Sequence, residues 1–215
     1  MKKNLVFLGP PGSGKGTQAV RLARELSITH LSTGDILRSA VKDGTPLGKQ
    51  AETYMKKGEL VPDHLLVSLI ESKVTAGEME DGFILDGFPR TVPQAESLKE
   101  MFQNNNVSLD AAILFDVSDE EVVRRLSGRW FCPACQATYN YPSRVPKKQG
   151  VCDYDGIKLQ RRPDDEEDVV RNRLNVYKRQ TQPIEDFYRG ESVLMAIKAE
   201  GSPDEVFQSL LEAVQ

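Results

Sequence analysis

A glycine-rich segment near the N-terminus has the residue types and the spacing needed to bind phosphate. Residues 9–17 read Gly-Pro-Pro-Gly-Ser-Gly-Lys-Gly-Thr, between an apolar run at 5–8 and a helical pattern at 15–25. Glycines let backbone N–H groups turn inward around an anion, and the start of the following helix adds a positive dipole. Lys15 can then reach the β- and γ-phosphates of a nucleotide, while the Thr17 hydroxyl faces Mg²⁺.

This segment departs from the usual phosphate-loop pattern at one position. Gly16 stands where Ser or Thr is usual, and the hydroxyl follows one residue later. The alternative interpretation is an ordinary Gly/Pro turn with a solvated Lys15. The strand and helix patterns on either side favour a phosphate loop, and its expected ATP-binding residues are Gly12, Ser13, Gly14, Lys15, Gly16 and Thr17.

An acidic residue follows a second buried-strand pattern. Asp86 comes directly after the apolar run at 83–85, where an acid can hold Mg²⁺ through its water shell. Asp is also a favoured turn residue, so a turn or cap before Gly87 is the alternative role.

All three cysteines lie in one segment and have the spacing of a metal site. Cys132 and Cys135 are separated by two residues, and Cys152 and Asp155 repeat that spacing. Such paired knuckles are typical of structural zinc, in which four protein ligands leave no position for a reactive water. Asp153 is a second candidate carboxylate, and Fe²⁺ or Co²⁺ could replace zinc. Reduced thiols without metal, or a partial disulfide, are the alternatives.

Short apolar runs alternate with helical patterns along the chain. Strands are predicted at 5–8, 83–85, 111–115 and 193–197, and helices at 15–25, 65–73, 93–102, 119–126, 165–177 and 203–214. Ser118 and Glu121 have the spacing of a capping box. The alternation predicts an α/β fold with a parallel sheet. Residues 32–61 and 129–163 interrupt it and are expected to form two inserted lobes.

Composition narrows the classes of function. The 215 residues are 39% hydrophobic and 28% charged, as expected of a globular protein, and the first apolar run is too short for a membrane span. The net charge of −4 argues against general nucleic-acid binding. An odd number of clustered cysteines fits a reducing compartment, so a cytoplasmic location is expected, with no membrane or nucleic-acid partner.

Five segments in order resemble the adenylate kinases, P-loop enzymes that act on nucleoside monophosphates. They are the loop at 9–17, Ser-Thr-Gly-Asp at 32–35, Gly-Glu-Leu-Val-Pro at 58–62, Leu-Asp-Gly-Phe-Pro-Arg at 85–90 and Gln-Thr-Gln-Pro at 180–183. The resemblance spans nearly the whole chain. It implies a P-loop NTPase-type core at 1–31, 62–128 and 164–215, an AMP-binding insert at 32–61 and a zinc-bearing lid at 129–163.

The resemblance also implies a set of site residues. The AMP-binding set is Thr33, Arg38, Glu59, Leu60, Val61, Gly87, Arg90, Gln94, Arg162 and Arg173. The catalytic set is Lys15, Arg90, Arg129, Arg162 and Arg173, and a lid segment at Thr138 and Tyr139 joins Arg129 in binding ATP. Asp164 and Asp165 are expected to orient the lid arginines, and Asp155 is preferred over Asp153 as the fourth metal ligand. A cis bond is expected before Pro89.

The expected activity is reversible, Mg²⁺-dependent transfer of a phosphoryl group from ATP to AMP, giving two ADP. Both inserts are expected to close over the substrates, and the protein is expected to be a monomer that serves adenine-nucleotide homeostasis. A UMP/CMP kinase is the nearest alternative, since it shares the phosphate loop and the arginines. A zinc-ribbon interaction module on a nucleotide-regulated switch is the alternative from another class of protein.

Overall fold

The computed structural model describes residues 1–141 and 144–215. Residues 142 and 143, which belong to the segment predicted as a lid, lie outside the described residues, as does the side chain of Pro163. Within the described part of the chain, no helix has the length and apolar character needed to cross a membrane.

A five-stranded parallel sheet forms the centre of the fold, as the sequence predicts. Its strand order is β2-β3-β1-β4-β7. The strands are β1 (Asn4–Leu8), β2 (Thr29–Ser32), β3 (Phe83–Asp86), β4 (Ala111–Asp116) and β7 (Leu194–Lys198). A separate antiparallel pair joins β5 (Arg129–Phe131) to β6 (Thr138–Asn140).

Nine α-helices surround the sheet within the described residues. They are α1 (Lys15–Leu26), α2 (Thr33–Lys42), α3 (Pro46–Lys57), α4 (Asp63–Thr75), α5 (Val92–Asn104), α6 (Asp119–Ser127), α7 (Glu167–Val176), α8 (Ile184–Gly190) and α9 (Pro203–Val214). A 3₁₀ turn at Pro163–Asp165 precedes α7, and a π-helical turn at Tyr177–Thr181 follows it.

Several details differ from the sequence prediction, which did not include strands β5 and β6. Strand β2 was missed because it is a short edge strand in which Leu31 is the one apolar residue. Helix α8 was also missed. The capping box predicted at Ser118 is wrong, because the Glu121 carboxylate binds Arg124 and Arg125 instead. The capping box forms at the start of α9, between Ser202 and Glu205.

Strand alternation divides the core into two layers. One layer lies between the sheet and helices that include α4, α5 and α8, and Val6 and Leu85 belong to it. The opposite layer contains Leu5 and Ile84 and packs against α1 and α9. Because both faces are covered, the central strands β1, β3 and β4 are almost entirely apolar, and the site forms at their carboxyl ends.

Close packing of α2 against α3 gives a direct test of the fold. A Cβ on Gly48 would overlap the Ala40 carbonyl, so the two helices can approach this closely only with glycine there. We expect Gly48→Ala to lower the free energy of unfolding by about 1–3 kcal/mol in urea denaturation. Gly190→Ala is the matched control, because a Cβ on this helical glycine would meet no atom within 4 Å. The control should be neutral or slightly stabilising, and an equal loss in both variants would contradict the packing argument.

Candidate active site

The phosphate loop connects the end of β1 to the start of α1, where three glycines have positive φ. These are Gly9 (φ 135°), Gly12 (φ 82°) and Gly14 (φ 96°). A Cβ on Gly12 would lie 2.8 Å from Leu126 Cγ, so the loop also packs directly on α6. The predicted ATP-binding segment therefore forms a tight loop that opens a helix, which is the geometry that directs backbone N–H groups towards an anion.

Lys15 folds back across this loop. Its Nζ donates to the Gly9 carbonyl at 2.7 Å, to the Pro10 carbonyl at 2.8 Å and to Ser13 Oγ at 3.1 Å. Burial lowers the pKa of Lys15 to about 8, and the positive charges of Arg90, Arg173 and Arg129 act in the same direction. Asp86 opposes this shift. The ammonium is therefore placed where a polyanion would favour its charged form.

The Asp86 carboxylate lies directly against the phosphate loop. A Cβ on Gly16 would be 3.2 Å from Asp86 Oδ2, so glycine leaves this approach free of a tight contact. His30 Nε2 lies 3.5 Å from the same carboxylate oxygen. Thr17 follows in the first turn of α1. Asp86 and Thr17 are oxygen donors of the type that Mg²⁺ prefers, so this corner of the site fits the metal that accompanies ATP.

Thr33, Gly87 and Arg90 meet at the carboxyl ends of β2 and β3. Thr33 Oγ1 donates to the Gly87 carbonyl at 2.8 Å, and Arg90 Nε donates to the same carbonyl at 2.8 Å. A Cβ on Gly87 would be 2.9 Å from Arg90 Nη2, and the backbone there has φ 82°. The Phe88–Pro89 peptide bond is cis, as expected. The structure thus brings three of the predicted AMP-binding residues together.

Gln94 is fully buried, and both ends of its amide already have protein partners. Its Oε1 accepts from the Arg90 backbone N–H at 2.6 Å, and its Nε2 donates to Asp63 Oδ1 at 2.6 Å. One lone pair and one N–H remain for another group. The sequence reasoning missed Asp63, whose position at the start of α4 resembles that of any acid in the first turn of a helix.

The other predicted AMP-binding residues line the α2–α3 side of the site. Arg38 forms an ion pair with Asp35, and its guanidinium lies against Gly34. After α3 the chain runs through Glu59, Leu60 and Val61. Val61 is buried in the core, whereas Glu59 is exposed.

Asp164 and Asp165 bind arginines on the side of the site opposite the predicted AMP-binding residues. Asp165 accepts from Arg129 Nε at 2.7 Å and from a second nitrogen of the same guanidinium. Asp164 Oδ2 accepts from Arg173 Nη1 at 2.8 Å. Burial opposes ionisation of Asp164, yet Arg173, Arg129 and Arg162 hold its pKa below the usual value. The expectation that Asp164 and Asp165 orient arginines is confirmed for Arg173 and Arg129.

Arg162 is the most confined of the cations. It is 7% exposed and lies over the Phe131 ring, with 5.4 Å between its Cζ and the ring centroid. Burial, together with the charges of Arg38 and Arg129, lowers its pKa to about 9, and burial lowers the pKa of Arg173 to about 10. Like charges are thus held together in a desolvated cleft, which a bound polyanion would stabilise.

Arg125 contacts the phosphate loop as well, and the sequence reasoning missed it. Its Nη1 donates to the Ser13 carbonyl at 3.2 Å and its Nη2 donates to the Ala199 carbonyl at 2.7 Å. Glu121 accepts from its Nε. Spacing alone could not distinguish Arg125 from the neighbouring Arg124, which is more exposed.

The cysteine segment forms a compact four-ligand cluster. The ligand atoms of Cys132, Cys135, Cys152 and Asp155 all lie within 4.8 Å of one another. Cys135 Sγ and Cys152 Sγ are 3.5 Å apart, and Asp155 Oδ2 is 3.0 Å from Cys132 Sγ. These separations suit a tetrahedral site with metal–ligand bonds of about 2.0–2.3 Å. The cysteines are free thiols.

The cluster distinguishes the two candidate carboxylates. Asp153 Oδ1 accepts from the Lys147 backbone N–H at 2.8 Å and so caps a loop away from the ligands. Tyr139, expected near ATP, turns its side chain into the cysteine segment, where its hydroxyl lies 3.6 Å from Cys152 Sγ. Thr138 precedes it in β6, half-buried.

Comparison with known proteins agrees with this geometry. Residues 7–193 match the family model described as adenylate kinase. The chain is 49% identical over 210 residues to the adenylate kinase of Methanocella arvoryzae, an alignment that covers 98% of this chain and 97% of that one. It is 46% identical over 211 residues to the adenylate kinase of Carboxydothermus hydrogenoformans, with 98% and 99% covered. The chain belongs to the adenylate kinase family. It is therefore a phosphotransferase that acts on ATP and AMP.

The lowered pKa of Lys15 makes nucleotide binding by this adenylate kinase depend on pH. Phosphate favours the ammonium form, so affinity for ATP should be greatest below pH 8 and should fall by up to about tenfold per pH unit above it. Calorimetric titration at pH 8.5, in two buffers of different ionisation enthalpy, should show proton uptake on binding. Lys15→Arg, which keeps its charge, is the control and should lose that uptake. Equal uptake in both proteins would assign the proton to another group.

Proposed function

We propose that this chain transfers the terminal phosphoryl group of Mg²⁺-bound ATP to AMP by surrounding it with the cations of the cleft. One observation carries the proposal: Arg90, Arg129 and Arg173 lie close enough to Lys15 for their charges to lower its pKa. Little covalent chemistry is required of the protein in such a transfer. Positioning of the acceptor oxygen and neutralisation of developing charge supply most of the catalysis.

The proposed division of the site follows the two edges of the cleft. ATP would lie along the phosphate loop, residues 12–17, with Arg129, Thr138 and the backbone at Tyr139 above it. AMP would lie against Thr33, Arg38, residues 59–61, Gly87, Arg90 and Gln94. Arg162 and Arg173 would bridge the two nucleotides. Mg²⁺, when bound, would supply charge neutralisation between the β- and γ-phosphates, with Asp86 holding its water shell.

Residues 32–61 and 129–163 are proposed to be lobes that close over AMP and ATP, around a core of residues 1–31, 62–128 and 164–215. Contacts between the two lobes support this division. Lys42 Nζ, at the end of α2, donates to the Pro133 carbonyl at 3.3 Å, and residue 133 belongs to the cysteine segment. Closure would exclude water, which otherwise competes with AMP for the phosphoryl group.

One structural zinc ion is the proposed occupant of the cysteine cluster. The donor set of three thiols and one carboxylate suits zinc, and four protein ligands leave no open position for a reactive water. We propose that the protein works as a monomer in the cytoplasm. The free thiols support a reducing location.

Removal of the Lys15 charge tests the proposed mechanism. Lys15→Met should lower kcat for ADP formation from ATP and AMP by orders of magnitude while the fold is retained, since one charge at the transferring group is lost. Lys99→Met is the control, because this exposed lysine on α5 pairs with Glu191 away from the site. A Lys15 variant that kept more than about a tenth of wild-type activity, a loss below ~1.4 kcal/mol, would exclude the proposed role.

Metal analysis of protein purified without chelator tests the zinc site. About one zinc ion per chain is expected, and Asp155→Ala should weaken its retention much more than Asp153→Ala, because only Asp155 contacts a thiol. Metal removal should lower the Tm and loosen residues 129–163. The reverse order of the two variants would mean that Asp153 is the ligand.

A further inference from the structure

The two ends of the buried Gln94 amide face groups with opposite and fixed hydrogen-bonding roles, one a donor and the other an acceptor. The Arg90 backbone N–H, which can only donate, faces Oε1, and the Asp63 carboxylate, which can only accept, faces Nε2. Asp63 is itself held in place, because its Oδ2 accepts from Thr91 Oγ1 at 2.9 Å. Thr91 also caps α5 through the Gln94 backbone N–H. The amide thus lies in a closed network of hydrogen bonds.

This network allows only one orientation of the amide. A 180° flip would place the NH₂ group against the N–H of Arg90 and the oxygen against the carboxylate of Asp63. Both contacts would then be repulsive, and Gln94 is 0% exposed, so water could not replace them. A buried polar group without a partner is costly enough to exclude the flipped form. The Gln94 amide therefore has a fixed polarity, with one further acceptor position on Oε1 and one further donor on Nε2.

We propose that Asp63 is a specificity-determining residue, which selects 6-aminopurine monophosphates by locking the Gln94 amide. The inference rests on the proposed function, in which AMP lies against Gln94, and it places the base of AMP at this amide. Adenine has a donating amino group at position 6 and an accepting N1, which complements the locked amide. Hypoxanthine has an accepting oxygen at position 6 and a hydrogen on N1, so the same amide would meet it with like groups. Because the two bases have nearly the same size, shape cannot account for a preference between AMP and IMP.

The test compares kcat/KM for AMP and for IMP at saturating ATP. In Asp63→Leu the donor end of the amide loses its partner, and the ratio of the two efficiencies should fall at least about tenfold. The change should appear mainly in KM for the monophosphate, with KM for ATP within about twofold of wild type. Asp63→Asn keeps an oxygen at the same place, and its NH₂ can donate to Thr91, so it should retain most of the selectivity.

Glu167→Leu is the matched control for loss of an acid from the first turn of a helix. Glu167 begins α7, is exposed and pairs with Arg171. This variant should leave the AMP/IMP ratio unchanged. If it lowered the ratio as much as Asp63→Leu does, helix stability rather than orientation of the amide would be responsible, and the proposal would be overturned.

NMR of the Gln94 side chain gives a readout that does not depend on activity. In the wild-type protein one of its two Nε2 protons should be shifted downfield by the Asp63 carboxylate, and the shift should disappear in Asp63→Leu. Absence of that downfield shift in the wild-type protein overturns the proposal even if the leucine variant does not fold.

A Gln94→Leu variant separates this inference from the proposed function. If Gln94→Leu abolishes the preference for AMP over IMP and Asp63→Leu does not, the locking role is wrong while Gln94 still reads the base. If Gln94→Leu leaves the preference unchanged, the placement of the base beside Gln94 is wrong, and the role of Asp63 is overturned with it.

Discussion

Repulsion between like charges is the constraint on which the arrangement of this site depends. The cleft gathers Lys15, Arg38, Arg90, Arg129, Arg162 and Arg173. Burial lowers the pKa of Lys15, Arg90, Arg162 and Arg173, and neighbouring cations lower it further. Asp86 opposes this effect at Lys15, while Asp164 and Asp165 bind Arg173 and Arg129 and fix the directions of their guanidinium groups. A bound polyanion would stabilise the positive charge that these acids leave uncompensated.

The parallel sheet makes this concentration of charge possible. Strands β1, β2 and β3 end at the same edge, where Ser32 and Phe7 each align with Asp86. The phosphate loop, the Asp86 carboxylate and Thr33 therefore meet without any long excursion of the chain. Glycine leaves room where these segments approach closely: a Cβ would lie 3.2 Å from Asp86 Oδ2 at Gly16 and 2.9 Å from Arg90 Nη2 at Gly87.

The stability of the cysteine segment is limited by the small size of its buried core. Its own buried cluster contains only Cys132, Tyr139, Cys152 and Leu159 among the described residues, with Trp130 and Ala137 packed against it. So small a core supplies little hydrophobic stabilisation. A metal ion held by the four clustered ligands would supply the stabilisation that so small a core lacks.

The sequence by itself determined the elements whose signals are local. The phosphate loop, the strands at the sheet centre, the α/β class and the two-residue spacing of the metal ligands follow from patterns within a few positions. The short edge strand β2 gave no such pattern, since its stability comes from pairing with β3 rather than from its own residues. Only the tertiary structure decided that Glu121 binds arginines instead of capping α6, that Tyr139 turns towards the metal ligands, and that Asp63 orients Gln94. These outcomes depend on which distant groups compete for a hydrogen bond, and that competition exists only once the chain has folded.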